Sequence, residues 1–222
     1  MLNIDFSSKK LFIFDWDGTL ADTIELISSC LVDSFKELKF PELSEEAARS
    51  IIGMGLVEAF KVLTPGSSEE DRNLLLKSYK KFFLERSNNG ITLFPEVDSM
   101  LAYLQNRGLK TAIATGKSRV GLDRDFKNTG IGIYIDTTRT IDECNPKPDP
   151  HMILDIIQEL GISQNETLMI GDTTYDLEMA ANAGVESIGI SSGAHSLQKL
   201  EACNPLKIFP DFQEFHKFLQ SK

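Results

Sequence analysis

The stretch Lys10-Leu11-Phe12-Ile13-Phe14-Asp15-Trp16-Asp17-Gly18-Thr19-Leu20 decides how the rest of the chain is interpreted. Its unbroken apolar run, Leu11 to Phe14, is typical of a strand buried on both faces of a parallel sheet. Asp15 and Asp17 therefore follow the carboxyl end of that strand. Because ligands bind at this end of open α/β sheets, we expect both carboxylates in the active-site crevice.

Two carboxylates this close together need compensation for their repulsion. At an effective dielectric near 20, like charges about 4 Å apart repel by roughly 4 kcal/mol. A cation, a proton or separation by the backbone would relieve this repulsion. Mg²⁺ suits the pair because it prefers oxygen ligands accompanied by phosphate. The alternative is an ordinary strand end and turn, since Asp and Gly are common turn residues.

Composition favours small-molecule chemistry. The 222 residues carry a formal net charge of -10, which argues against non-specific binding to nucleic acid or to an anionic membrane. No apolar stretch is long enough to cross a bilayer, and the first residues lack a basic segment leading into an apolar one. We therefore expect a cytoplasmic protein. The scattered Cys and His residues show no ligand-like spacing and are interpreted as structural or surface residues.

The segment from 21 to 90 is predicted to be helical. Ile24, Ile27, Leu31, Phe35 and Leu38 recur at spacings of three and four, as in an amphipathic helix. Further helix starts and turns predict about four helices and no strand in this segment. We expect residues 21–90 to form a small helical domain. Residues 1–20 and 91–222 would then form the core domain.

From residue 94 onward, short apolar runs alternate with helical patterns. Runs at 111–114, 131–135, 168–170, 187–190 and 206–209 are predicted as strands, and helices separate them. This βαβ alternation predicts an α/β fold with a parallel, doubly wound sheet.

Polar clusters follow several of these strands. Each has an ordinary alternative as a turn, a loop lysine or a helix start. Together, however, they supply what phosphoryl transfer through an aspartyl intermediate needs: a carboxylate nucleophile, a second carboxyl group for proton transfer, donors for phosphoryl oxygens, and acidic residues for Mg²⁺. The clusters are Asp15/Asp17, Thr115/Gly116, Lys147 and Asp172/Asp176.

The chain resembles the haloacid dehalogenase superfamily, in particular its phosphoglycolate-phosphatase-like branch. Four motifs stand in the family's order: Asp15-Trp16-Asp17-Gly18-Thr19-Leu20-Ala21-Asp22-Thr23, Ala114-Thr115-Gly116-Lys117, Lys147-Pro148-Asp149-Pro150 and Gly171-Asp172-Thr173-Thr174-Tyr175-Asp176. The resemblance covers nearly the whole chain. It implies a Rossmann-like core with a small all-helical cap inserted between the first and second motifs, which coincides with the helical segment.

The resemblance also implies roles for the matching residues. Asp15 would attack phosphorus, and Asp17 would protonate the leaving alcohol and then activate water. Mg²⁺ would bind Asp15, the Asp17 carbonyl and Asp172, with Asp176 orienting the metal's water or Lys147. Further residues would contact the phosphoryl group or the substrate: Thr115, Gly116 and Lys147 in the core, and Met54 and Gly55 at the cap tip.

The implied activity is Mg²⁺-dependent hydrolysis of a small phosphorylated metabolite by a monomer or homodimer. The family label suggests 2-phosphoglycolate, although no residue selects it. A phosphomutase of the β-phosphoglucomutase type is the first alternative, and a non-enzymatic phosphate-binding or partner-binding module is the second. Four basic residues are candidates for specificity but are expected to be ordinary surface charges: Arg49, Lys61, Lys117 and Arg119.

Overall fold

A computed structural model describes residues 6–221, and its centre is a parallel sheet. The strands are β1 (Leu11–Phe14), β2 (Lys110–Thr115), β3 (Thr137–Thr140), β4 (Thr167–Gly171), β5 (Glu186–Ile190) and β6 (Lys207–Phe209). Their order across the sheet is β3-β2-β1-β4-β5-β6, and all neighbours run parallel. The predicted doubly wound α/β fold is confirmed. Strand order reverses between β1 and β4, which is where such sheets bind ligands.

Helices connect the strands and form the inserted segment. They are α1 (Ile24–Glu37), α2 (Glu45–Ser50), α3 (Leu56–Leu63), α4 (Glu69–Arg86), α5 (Val97–Asn106), α6 (Arg119–Thr129), α7 (His151–Leu160), α8 (Thr174–Asn182), α9 (Leu197–Glu201) and α10 (Phe212–Gln220). Within residues 6–221, none of these helices combines the length and apolar character that a bilayer span requires.

Strand β1 holds the two layers of the core together. Leu11 and Ile13 pack into a cluster with α7 and α8 on one face of the sheet. Phe12 and Phe14 pack into a second cluster with α5 and α10 on the other face. Successive side chains of a strand point to opposite faces, so this unbroken apolar run satisfies both layers. The prediction of a strand buried on both faces is correct.

Helices α1 to α4 pack around a hydrophobic cluster of their own, which includes Leu31, Phe60 and Leu75. The chain enters and leaves this helical segment side by side. Ala21 forms an isolated antiparallel bridge with Leu93, and the Phe94 N–H donates to the Leu20 carbonyl at 3.0 Å. The four helices agree with the sequence interpretation. The division into domains at residues 21 and 90 stays a prediction.

One strand prediction is wrong. Residues Ile131–Tyr134 form a 3-10 turn, and the edge strand is β3, which begins at Thr137. Gly130 adopts a φ of +76°, which ends α6 and turns the chain, and the Ile131 side chain packs into the core cluster beside α5 and α6. The apolar residues of this run are therefore explained by packing against the core and not by pairing in a β-sheet. Strand β3 is polar and rich in threonine, because an edge strand is only half buried.

Lys9 fixes the start of β1 to its neighbours. Its buried ammonium donates to the carbonyl oxygens of Asn165 at 2.7 Å and Thr167 at 3.1 Å, and it pairs with Glu186 at 2.6 Å. These partners lie at the beginnings of β4 and β5. A charged group that is removed from water in this way must keep its hydrogen bonds. Lys9 is therefore a structural lysine.

We expect Lys9→Met to lower the free energy of unfolding by about 1–3 kcal/mol, because it leaves buried carbonyl groups without their donor. Lys10→Met is the matched control, since the Lys10 side chain is exposed and its pair with Glu166 lies at the surface. Urea denaturation of both variants measures the difference. Equal stability of the two variants would contradict the structural role of Lys9.

Candidate active site

The carboxyl ends of the central strands bring the predicted residues together. Phe14 pairs with Ile113 of β2 and Ile170 of β4, so these three strands end at about the same level. Asp15 follows β1, Thr115 ends β2 and Asp172 follows β4. The Asp15 N–H also donates to the Ile170 carbonyl at 3.0 Å, which holds the backbone of Asp15 against β4. One rim of the sheet therefore carries these groups.

Lys147 joins two of the carboxylates. Its Nζ lies 2.6 Å from Asp15 Oδ1 and 2.6 Å from Asp176 Oδ1, and all three side chains are buried. Burial alone would lower the pKa of the Lys147 ammonium, but the charges of Asp15 and Asp176 raise it above its ordinary value. The two carboxylates therefore favour the charged form of Lys147 in the centre of the site.

The carboxylates outnumber this cation. Ligand atoms of Asp15, Asp172 and Asp176 lie within 4.8 Å of one another. Burial and then the Asp176 charge raise the pKa of Asp172 to about 7, and burial, Asp176 and Asp172 raise the pKa of Asp15 against the opposing effect of Lys147. Three carboxylates and one ammonium leave excess negative charge in a dry site. Such a donor set fits a divalent cation with oxygen ligands.

In the part of the chain that the structure describes, Asp15 has the one carboxylate oxygen of this group without a protein partner. Its Oδ2 is buried and has no hydrogen-bond partner among the described residues, although Oδ1 is held by Lys147. A buried carboxylate oxygen without a partner is costly, so it indicates a ligand position. A metal ion or a phosphoryl group would satisfy this atom.

Asp172 is held rigidly on both oxygens. Oδ1 accepts a hydrogen bond from the Thr19 hydroxyl at 2.6 Å, and Oδ2 accepts one from the Ala194 N–H at 2.7 Å. The backbone approaches closely on two sides, because a Cβ atom at Gly18 would lie 2.4 Å and one at Gly193 2.2 Å from Asp172 Oδ2. Glycine at these two positions leaves the room that the carboxylate needs.

Asp176 is occupied by protein donors. Its Oδ1 accepts from Lys147, and its Oδ2 accepts from the Thr173 N–H at 3.1 Å and from the Thr173 hydroxyl at 2.7 Å. These bonds close a capping box at the start of α8. Both oxygens thus already have protein donors, and the resemblance implies for Asp176 the role of orienting the metal's water or Lys147. That role stays a prediction.

Asp17 occupies a different environment from Asp15. Its side chain is 14% exposed, compared with 1% for Asp15, and it accepts a hydrogen bond from the Thr23 hydroxyl at 2.8 Å. Lys117 Nζ lies 3.0 and 3.1 Å from its two oxygens. Each aspartate of the pair therefore has a lysine of its own. This arrangement offsets the repulsion expected from the sequence.

The interpretation of Lys117 as an ordinary surface lysine is wrong. Its side chain is 9% exposed and lies between Asp17 and Asp125, whose Oδ2 is 3.2 Å from Lys117 Nζ. Buried Asp125 also accepts from the Trp16 indole at 3.1 Å and pairs with Arg124 at 2.9 Å. Sequence reasoning missed Asp125, because an acidic residue within a helix is normally exposed. The only signal was the presence of an indole donor between the two aspartates of the first motif.

The other three basic candidates point elsewhere. Arg49 pairs with Glu25, Lys61 pairs with Glu58 at 2.9 Å, and Arg119 pairs with Glu143 at 2.7 Å. None of the three lines the cavity beside Asp15. The expectation that they are ordinary surface charges agrees with these contacts.

The loop between α2 and α3 reaches the core. A Cβ atom at Gly116 would lie 2.8 Å from the Gly53 carbonyl oxygen, so only glycine allows this approach. The Tyr175 hydroxyl donates to the Ser50 carbonyl at 3.1 Å, and His195 Nε2 lies 3.3 Å from the same oxygen. Because His195 Nδ1 accepts from the Thr174 N–H at 3.0 Å, Nε2 carries the proton and donates. Burial lowers the pKa of His195, which favours this neutral form.

A cavity of about 810 Å³ lies between the helical segment and the core. Asp15, Asp17 and Lys117 line it from the core side. The remaining predicted contact residues line it as well: Met54, Gly55, Thr115 and Gly116. Its volume is within the range of ~300–1,000 Å³ that small-molecule sites occupy. Lys147, the other residue expected to contact the phosphoryl group, does not line the cavity and instead contacts Asp15.

Comparison with known proteins identifies the family. Residues 12–190 match the model of the haloacid dehalogenase-like hydrolases. The chain is 35% identical over 211 residues to "Probable phosphatase IndB" of Dickeya dadantii, covering 93% of this chain and 91% of that protein. It is 31% identical over 194 residues to the pyrophosphatase PpaX of Bacillus velezensis, covering 87% of this chain and 88% of that protein.

A solved structure agrees with these relatives. A hydrolase from Pseudomonas syringae superposes with a TM-score of 0.87 at 25% identity, covering 96% of this chain and 99% of that one. The resemblance found in the four motifs is confirmed, and so is the prediction of an enzyme, a hydrolase related to phosphatases. On the match over residues 12–190 and the relatives that span almost the whole chain, the protein belongs to the haloacid dehalogenase-like hydrolase family.

Proposed function

We propose that this protein is a Mg²⁺-dependent phosphatase that hydrolyses a small phosphate monoester through an aspartyl-phosphate on Asp15. The observation that carries the proposal is the state of the Asp15 carboxylate. One oxygen is fixed by Lys147, and the other is buried, has no hydrogen-bond partner within residues 6–221 and belongs to a residue that lines the cavity. A fixed carboxylate with one free oxygen is suited to nucleophilic attack.

In the first step, Asp15 Oδ2 forms a bond to phosphorus, and the bond between phosphorus and the leaving oxygen breaks. Asp17 gives its proton to that oxygen, which departs as an alcohol. In the second step, Asp17 takes a proton from water, whose oxygen attacks phosphorus and releases Asp15 and inorganic phosphate. Thr23 and Lys117 hold the Asp17 carboxyl group in place for both proton transfers.

Asp15 and Asp172 would hold Mg²⁺, with the Asp17 carbonyl as a further ligand and Asp176 outside them. When bound, the ion lowers the repulsion between an anionic nucleophile and an anionic phosphoryl group. The excess of carboxylates over Lys147 supports a divalent cation here. Thr115, the last residue of β2, and Gly116 would hold phosphoryl oxygens. The Thr115 hydroxyl oxygen accepts a hydrogen bond from the backbone N–H of Lys117 at 3.1 Å.

Helices α1 to α4 would act as a cap, with residues 21–90 as a separate domain. The contact of Gly53 and Met54 with Gly116 supports this proposal, because Gly116 is one of the residues that would hold the phosphoryl group. Such a cover excludes water and contacts the leaving group. We assign recognition of the leaving group to this segment, because the core residues above grip only the phosphoryl group.

Two alternatives are separated by product analysis. The relative PpaX is named a pyrophosphatase, which makes pyrophosphate a second candidate substrate. A phosphomutase would return the phosphoryl group to a second position of the same molecule. Phosphate release from pyrophosphate supports the first alternative. Formation of a phosphorylated isomer from a sugar 1-phosphate supports the second.

We expect Asp15→Asn to lower kcat on an aryl phosphate by at least about 10³-fold, as loss of a nucleophile does in other enzymes. The change is almost isosteric, so the far-UV circular dichroism spectrum and cooperative unfolding should be retained. Asp98→Asn, on the exposed first turn of α5, is the control and should keep full activity. Hydrolysis by a folded Asp15→Asn variant at the wild-type rate would refute the assignment of Asp15 as the nucleophile.

Mg²⁺ should raise the thermal unfolding temperature of the protein without substrate, because binding to the folded state alone stabilises it. At 100 times the dissociation constant, the gain is about 2.7 kcal/mol. Asp172→Asn should abolish this increase, and Asp98→Asn should not change it. Excess chelator should remove both the increase and the activity. An unaltered Mg²⁺-induced increase in Asp172→Asn would place the metal elsewhere.

A further inference from the structure

The wall of the cavity beyond Asp15 and Asp17 is apolar. Met54, Tyr79 and Phe83 contribute from the helical segment, and Ile141 contributes from the core. Within residues 6–221, three large hydrophobic side chains that line this cavity are exposed to solvent: Val57, Leu84 and Val120. An apolar surface of this kind normally marks a binding site. The position of the surface, next to the proposed nucleophile, assigns it to the leaving group.

The charges of the wall do not favour an anionic leaving group. Among residues 6–221, seven charged side chains line the cavity, four acidic and three basic: Asp15, Asp17, Glu58, Asp142, Lys80, Lys117 and Arg124. Lys117 is already paired with Asp17 and Asp125, and Arg124 is paired with Asp125. A second phosphate or a carboxylate would have to break these pairs or rely on the exposed Lys80.

The aromatic ring of Phe83 contacts both Lys117 and Arg124. Lys117 Nζ lies 5.0 Å and the Arg124 guanidinium carbon 5.2 Å from the ring centroid. Both cations are thus satisfied by carboxylates and by an aromatic face. The wall therefore offers an apolar surface with few uncompensated charges, and the volume of about 810 Å³ exceeds what a glycolyl group or a second phosphate would fill.

We propose that the substrate is a phosphate monoester of an uncharged, largely apolar alcohol or phenol, whose carbon skeleton binds between α3, α4 and the start of α6. This inference rests on the proposed function, since it concerns the leaving group of that reaction. Specificity then comes from burial of the skeleton against Met54, Phe83 and Val120. Compounds with a second anionic group, including pyrophosphate and 2-phosphoglycolate, are disfavoured.

A homologous series tests this proposal. The n-alkyl phosphates from propyl to hexyl share one leaving-group chemistry and differ only in apolar surface. We expect kcat/KM to rise roughly fourfold for each added CH₂ that becomes buried. The matched anionic compounds, ω-carboxyalkyl phosphates of equal chain length, should react at least about tenfold more slowly than the corresponding alkyl esters, because their carboxylate enters the same apolar wall.

A pair of variants locates the effect. Val120→Glu places a carboxylate at the cavity, and Ile133→Glu makes the same change at an equally exposed position that does not line it; these side chains are 80% and 75% exposed. Both should fold, since neither removes buried contacts. We expect Val120→Glu to flatten the chain-length dependence of kcat/KM, and Ile133→Glu to leave it at the wild-type slope.

The outcomes separate the inference from the proposed function. A chain-length slope that Val120→Glu flattens supports the apolar leaving-group site. Hydrolysis of all esters with no slope, or faster hydrolysis of the carboxyalkyl esters or of pyrophosphate, overturns the inference while phosphatase activity stands. Absence of phosphate release from every compound, with Mg²⁺ present and the protein folded, overturns the proposed function itself and the inference with it.

Discussion

The site depends on one buried cation, Lys147, which lies 2.6 Å from both Asp15 and Asp176. Removing an ion from water is strongly unfavourable unless a partner and hydrogen bonds compensate it. The single positive charge of Lys147 faces the two carboxylates of Asp15 and Asp176, and Asp172 adds a third carboxylate. The fold thus places more negative charge than positive at one point of the sheet. A divalent cation is the natural complement of that excess, and a bound cation would favour the charged form of Asp15 against the burial and the neighbouring carboxylates that raise its pKa.

Two aspartates two residues apart have different environments because the fold gives them different neighbours, and the proposed roles follow from this difference. Asp15 lies in the dry cluster with Lys147, and Asp17 lies at the cavity with Thr23 and Lys117. A nucleophile benefits from rigid burial, whereas an acid and base must reach both the leaving oxygen and water. The chain bends between them at Trp16, and Gly18, with a φ of +87°, begins a turn directly after Asp17.

The local sequence pattern correctly predicted those parts of the molecule in which neighbouring residues along the chain determine the structure. The hydrophobic periodicity predicted the buried strand β1 and the helical insert. The βαβ alternation predicted the grouping of Asp15, Thr115, Lys147 and Asp172 at one rim of a parallel sheet. The position of the edge strand β3 was not predicted, because the apolar residues that precede it pack against helices and β3 itself is polar. The burial of Lys117 and Asp125 was not predicted either, because each is buried against a partner a hundred or more residues away and composition does not show which face of α6 is buried.

The central claim is that Asp15 carries the phosphoryl group during turnover. The most direct measurement is rapid acid quenching of the Mg²⁺-loaded enzyme with excess aryl phosphate, followed by mass spectrometry of peptides that contain residues 10–20. The account predicts a peptide heavier by one phosphoryl group, with the modification on Asp15 and lability to mild base as an acyl phosphate shows. Steady turnover with no modified peptide at any quench time, or modification at another residue, would contradict it.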